Sequence, residues 1–167
     1  GLYRHSAVPS LRHRGRTRNQ KGDKRMRKAI FWGFTGTLVK QAPGKPLAAY
    51  PDAAATLALC AYKGYQNYLL AEGVSQPEKL LSQLCLEQFF PDRVVCGQVE
   101  FTGEKGDGIY RKAELSAHFP GIIWLVSADA KEIAGAKAAG WHTVQVHGGD
   151  GGADFTCPTL AEVWRLL

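Results

Sequence analysis

Residues 29 to 38 read AIFWGFTGTL, an apolar run that stops at a glycine-bounded turn. Ala29 to Trp32 has the length and aromatic content of a buried strand, and Gly33-Phe34-Thr35-Gly36-Thr37 is the loop it delivers. In an α/β protein, ligands bind beyond the carboxyl ends of parallel strands, so this loop is the first place to look for chemistry.

Outward from that loop, strand and helix patterns alternate. Val39 to Ala49 reads as a loop carrying Pro and Lys, and Asp52 is placed to cap a helix over Ala53 to Tyr62 that Lys63-Gly64 ends. A second strand is expected near residues 65 to 70. Leu80, Leu81, Leu84 and Leu86 then line a partly amphipathic helix over 77 to 89, and a short third strand lies near 93 to 96. Helix over 107 to 118, a fourth strand in Gly121-Ile-Ile-Trp-Leu-Val126, helix running to Gly140, a fifth strand near 142 to 146 and a last helix over 158 to 167 complete the chain.

Four stretches in this order resemble the motifs of the haloacid dehalogenase superfamily. The first is usually hydrophobic residues followed by DxDGT; here Gly33 stands where that family has its nucleophile and Thr35 where it has the general acid/base. At the end of the second strand, Ala71 replaces the Ser or Thr that holds the transferred phosphoryl group. Glu104-Lys105-Gly106-Asp107-Gly108-Ile109-Tyr110 resembles KPDPxxY and retains Lys105, although a lysine in a glycine-rich loop is ordinarily a solvated surface charge. Val126-Ser127-Ala128-Asp129-Ala130-Lys131-Glu132 resembles GDSxxD: Ala128 replaces the metal-binding aspartate, Asp129 falls one place late, and Glu132 aligns with the second acid but is longer by a methylene. A local role for both acids is favourable charge at a helix N-terminus.

The resemblance implies a three-layer Rossmann-like α/β core over residues 29–167, with a five-stranded parallel sheet. Its first strand should be central, flanked by the second and fourth. So little chain separates the first strand from the Ala-rich helix that the resemblance is to members without a cap domain. It also implies a chemistry problem. That family's phosphoryl transfer needs a carboxylate nucleophile, a second carboxylate and acids that hold Mg²⁺, and a glycine supplies none of these. The expectation is a pseudoenzyme with no metal and no cofactor. The enzymatic alternative is a Mg-dependent phosphatase of the same type in which Asp129, Glu132 or Asp107 has taken over.

Charge divides the chain in two. Residues 1–28 carry ten Lys and Arg against Asp23 alone, a net +9, whereas the remaining 139 carry eleven against fourteen acids, a net −3. A basic segment with few apolar residues builds no core of its own. Arg-rich, Ser-containing and acid-poor, it resembles a mitochondrial transit peptide; equally, it is suited to a basic arm that neutralises phosphates. Cys60, Cys85, Cys96 and Cys157 are widely spaced and form no zinc pattern, which predicts buried reduced thiols. No run of about twenty apolar residues is present to span a membrane.

A fold without its acids joined to a basic arm predicts architecture: a structural protein of a mitochondrial ribosomal subunit or of a particle assembling it, in the mitochondrial matrix. The expected partners are rRNA and neighbouring ribosomal proteins. Phosphate contacts would fall to Arg4, Arg12, Arg14, Arg16, Arg18, Lys21, Lys24, Arg25, Arg27 and Lys28. A protein-binding pseudophosphatase scaffold is the other non-catalytic reading.

Overall fold

A computed structural model describes residues 27–97 and 108–167. Residues 1–26, which hold most of the basic arm, and residues 98–107, which hold Lys105 and Asp107, lie outside the described residues.

The apolar run forms strand β1, Lys28–Gly33, and every residue from Ala29 onward is buried. Such a run, buried on both faces, suits the middle of a parallel sheet. Strands β4 (Tyr65–Glu72) and β6 (Ile122–Ser127) pair with it in parallel on its two sides. Beyond them lie β5 (Val94–Gly97), parallel to β4, and β7 (His142–Val146), parallel to β6. The central place of β1, with the second and fourth long strands beside it, is as expected.

Among the described residues the sheet has six strands rather than five. Phe155–Cys157 forms β8, parallel to β7. Three residues are too few to show a period, and tertiary bonds hold this strand in place: Thr143 N donates to Asp154 Oδ2 at 2.9 Å and Asp154 N donates to Thr143 Oγ1 at 3.0 Å. The stretch read as a loop after β1 contains a small antiparallel pair, β2 (Val39–Lys40) with β3 (Ala48–Ala49).

Helices cover both faces. In α1 (Ala53–Tyr62), Ala53, Thr56, Leu57 and Cys60 are buried, the spacing of one helix face. Asp52 precedes the helix without capping it, because its carboxylate accepts instead from Ala161 N at 3.0 Å and so ties down the C-terminal 3-10 segment Leu160–Leu166. Helix α2 (Pro77–Gln83) is shorter than the leucine pattern predicts, and a separate 3-10 turn over Glu87–Phe89 follows it. On the other face lie α3 (Ile109–Ser116) and α4 (Ala130–Ala138).

The period of two along β1 builds two cores. Ile30 and Trp32 pack with Leu57, Leu69, Val126 and Val144 on one face, whereas Phe31 packs with Tyr68, Leu70, Leu125, Ile133 and Trp141 on the other. Trp32 takes its ring nitrogen into the first core without leaving it unpaired: Nε1 donates to Asn67 Oδ1 at 2.9 Å, and Asn67 Nδ2 donates to Leu57 O at 3.0 Å. All four cysteines are free thiols; Cys60 and Cys157 are buried as expected, whereas Cys96 is half-buried and Cys85 exposed, contrary to expectation.

Candidate active site

Three strands end together. β1 stops at Gly33, β4 at Glu72 and β6 at Ser127, and the register that pairs Gly33 with Leu70 and Trp32 with Val126 brings these ends to one edge of the sheet. After β1 the chain builds outward through β4 and β5, then crosses back to β6. The crevice at the carboxyl ends of these strands is where open α/β sheets bind ligands.

Carboxylates converge on this edge. Glu72 ends β4, Asp129 precedes α4 and Glu132 lies in its first turn, and ligand oxygens from all three lie within 4.8 Å of one another. Asp129 caps α4, its Oδ1 accepting from Lys131 N at 2.8 Å. Glu132 is 6% exposed, and Ser127 Oγ donates to its Oε1 at 2.5 Å. The same Ser127 oxygen accepts from Asp129 N at 3.0 Å, and Thr37 Oγ1 accepts from Ala128 N at 2.9 Å, so the loop leaving β6 is held from two sides.

Burial pushes the Glu132 carboxyl up to about 8, and the hydrogen bond and negative charge of Glu72, with the charge of Asp129, push in the same direction; the Ser127 hydrogen bond opposes them. Below this group, the Tyr110 hydroxyl donates to Glu132 O at 3.0 Å, and burial first, then the neighbouring carboxylates, raise its pKa and keep it a neutral donor. Tyr110 reaches this position because residue 135 is glycine: a Cβ there would lie 2.4 Å from its ring.

A divalent cation is what the resemblance implies for such an edge, and the donor set fits one. Three carboxylates offer hard oxygen ligands of the kind Mg²⁺ takes, and a carboxyl whose proton affinity is raised by burial and then by its acidic neighbours is relieved by positive charge.

Gly33 explains how Glu132 comes to be here. A Cβ on residue 33 would fall 2.8 Å from Glu132 Oε1, 2.8 Å from Thr37 Oγ1 and 3.1 Å from Ser127 Oγ. The position of the missing first-motif side chain is thus bordered by a carboxylate oxygen that arrives from α4.

The other residues expected at the site separate. Thr35 is exposed and bridges to Val39, and Ala71 is buried one residue short of the carboxylate that matters. Ala128 is half-buried and contributes backbone only, its N–H to Thr37 and its carbonyl to Gln145 Nε2 at 3.2 Å. Glu72, Thr37 and Ser127 were missed from sequence. The one local signal was an acid closing the otherwise buried strand YQNYLLAE. Of the ten basic residues assigned to RNA, Arg27 and Lys28 are described: they lie at the amino-terminal edge of the sheet, where Arg27 O accepts from Ile122 N at 3.2 Å and the Lys28 ammonium lies 5.1 Å from the centre of the Tyr65 ring. The other eight, Arg4 to Arg25, and Lys105 lie outside the described residues.

No family model matches the chain, and no curated protein matches its sequence. Solved structures do share its fold. L-2-haloacid dehalogenase from Xanthobacter autotrophicus, with chloropropionic acid covalently bound, matches at 17% identity over 84% of this chain and 98% of that one, with a TM-score of 0.66. A HAD family hydrolase from Deinococcus radiodurans with bound phosphate and sodium matches at 13% identity, covering 83% and 94%, with a TM-score of 0.62. CbbY from Rhodobacter sphaeroides in complex with phosphate matches at 16%, covering 83% and 96%, with a TM-score of 0.61.

These matches and the acidic cluster correct the functional expectation drawn from sequence. The site is not emptied of acids, as a pseudoenzyme would require, because Glu72, Asp129 and Glu132 converge at the sheet edge where the resemblance places the chemistry. Nor does the molecule point to a ribosomal structural protein bound to rRNA and ribosomal neighbours: the fold is shared with hydrolases, and the two described basic residues serve the opposite sheet edge. The described chain has the α/β fold of the haloacid dehalogenase-like hydrolases.

Proposed function

We propose that this protein is a divalent-metal-dependent hydrolase of phosphate esters, in which rearranged acids do the work of the missing first-motif aspartates. The observation that carries this reading is the convergence of Glu72, Asp129 and Glu132 within 4.8 Å at the carboxyl ends of the central strands. These three residues would hold the cation, which when bound supplies charge neutralisation for the transferring phosphoryl group.

The chain's own groups orient and shield. Ser127 fixes one Glu132 oxygen, the α4 cap fixes Asp129, and Thr37 anchors the backbone between them. Only the β2–β3 pair intervenes between β1 and α1, so no cap domain is inserted there.

A phosphatase assay with p-nitrophenyl phosphate, with and without Mg²⁺, tests the reading. Turnover should require the metal and fall by about a hundredfold or more in Asp129→Asn and in Glu72→Gln, the scale of losing an electrostatic contact to the transition state. No turnover by the intact protein, or metal-independent turnover indifferent to both substitutions, would refute it.

A further inference from the structure

The geometry points to Glu132 as the nucleophile of this site, admitted to its place by the absence of a side chain at Gly33. The inference rests on the phosphate-ester hydrolase reading and names the group that reading leaves open.

Three observations meet on it. An aspartate at position 33 would carry its carboxylate oxygens two bonds beyond Cβ. A carboxylate oxygen, Glu132 Oε1, already stands 2.8 Å from that Cβ point. Glu132 begins not on β1 but in the first turn of α4, and its additional methylene supplies the reach to cross from the helix to the end of the strand. Gly33 and Glu132 are therefore complementary: the acid from α4 fills the space a side chain at 33 would need, and any side chain there would meet it below normal contact distance.

The other two carboxylates of the cluster are placed differently. Asp129 is exposed and engaged in capping Lys131 N, and Glu72 ends the neighbouring strand. Glu132 is held at both ends: Ser127 Oγ donates to the carboxylate, and the Tyr110 hydroxyl donates to the backbone carbonyl. A nucleophile held at a fixed position gains from proximity and orientation what a mobile one loses.

The step balances without an additional reagent. The Glu132 carboxyl first gives its proton to solvent; a carboxylate oxygen then bonds to the phosphorus of a phosphate monoester as the ester P–O bond breaks, and the departing alkoxide takes a proton from solvent. Water then attacks phosphorus, the bond from Glu132 to phosphorus breaks, and inorganic phosphate leaves with the return of one proton and the free carboxylate.

Rapid acid quench of the full chain turning over p-nitrophenyl phosphate with Mg²⁺, followed by peptide mapping, decides it. The phosphoryl group should be found on Glu132, with complete loss of label and turnover in Glu132→Gln, which keeps the shape but not the nucleophile. Glu132→Asp, which keeps the charge and shortens the reach, should lose the label too. Thermal unfolding of each variant confirms that it is folded. Turnover that survives in Glu132→Gln, a label on Asp129 or Glu72, or turnover with no trapped phosphoryl group would overturn the inference and leave the hydrolase standing. No turnover by the intact protein brings down both.

Discussion

At the scale of single residues, Glu132 carries both the interest and the cost of this site. Its carboxyl is pushed up to about 8, chiefly by burial, so the folded protein binds that proton far more tightly than the unfolded chain, where the value is near 4.5. A raised carboxyl contributes stability in full below the unfolded value, and that contribution is lost as the pH rises through the folded value. Stability should therefore decline between about pH 4.5 and about pH 8, by an amount on the order of a few kcal/mol. Glu132→Gln removes the titration, and urea denaturation across that range should show a flatter profile for the variant. An equal decline in both proteins would place the effect elsewhere. The same reasoning ties metal to pH, because a cation that binds the cluster must displace the Glu132 proton.

At the scale of elements, α4 brings the acids to the sheet, and a close approach sets its position. The Tyr110 ring from α3 would lie 2.4 to 2.6 Å from a Cβ at Gly135, so the two helices meet where one has no side chain. Tyr110 also packs edge-on to Trp141, with ring centres 5.4 Å apart, and donates to the backbone of Glu132. Gly135→Ala should force this ring away, at a cost of about 1–3 kcal/mol despite the better helix propensity of alanine. Denaturant unfolding reads the loss, and an unchanged or raised midpoint would mean that the ring moves aside freely. Asp129 shows how two roles coexist in one residue, since the carboxylate that caps α4 also faces the cluster.

At the scale of the whole molecule, the sheet assembles a site from segments far apart in sequence: Gly33 and Thr37, Glu72, and the stretch from Ser127 to Glu132. Two cores on opposite faces hold these strand ends, and neither contributes an acid. A ligand that binds this arrangement and not the unfolded chain must stabilise it by mass action. Mg²⁺ at about one hundred times its dissociation constant should add about 2.7 kcal/mol, read as a rise in Tm that EDTA reverses. Glu72→Gln should blunt the rise. A Tm indifferent to Mg²⁺ would mean that the three carboxylates do not bind this cation.

What the sequence by itself determined was the run of strands and the order of the motifs. Ala29 to Trp32, Tyr65 to Leu70 and Ile122 to Val126 are long enough and apolar enough that burial leaves them few alternatives, and AIFWGFTGTL places the first at the centre through its resemblance to a known motif. It also showed that Gly33 and Ala128 stand where the resembled motifs carry acids. Only the tertiary structure shows which carboxylates come to lie beside Gly33. Glu72 is one residue beyond the position a motif comparison inspects, and Glu132 stands 99 positions from the glycine whose place it borders. A carboxylate's role depends on where its oxygens come to rest, and side-chain reach across a sheet edge has no period in the sequence to announce it. The missing Cβ of Gly33 is visible to a reader of the sequence, whereas the oxygen beside that empty place is visible only in the fold.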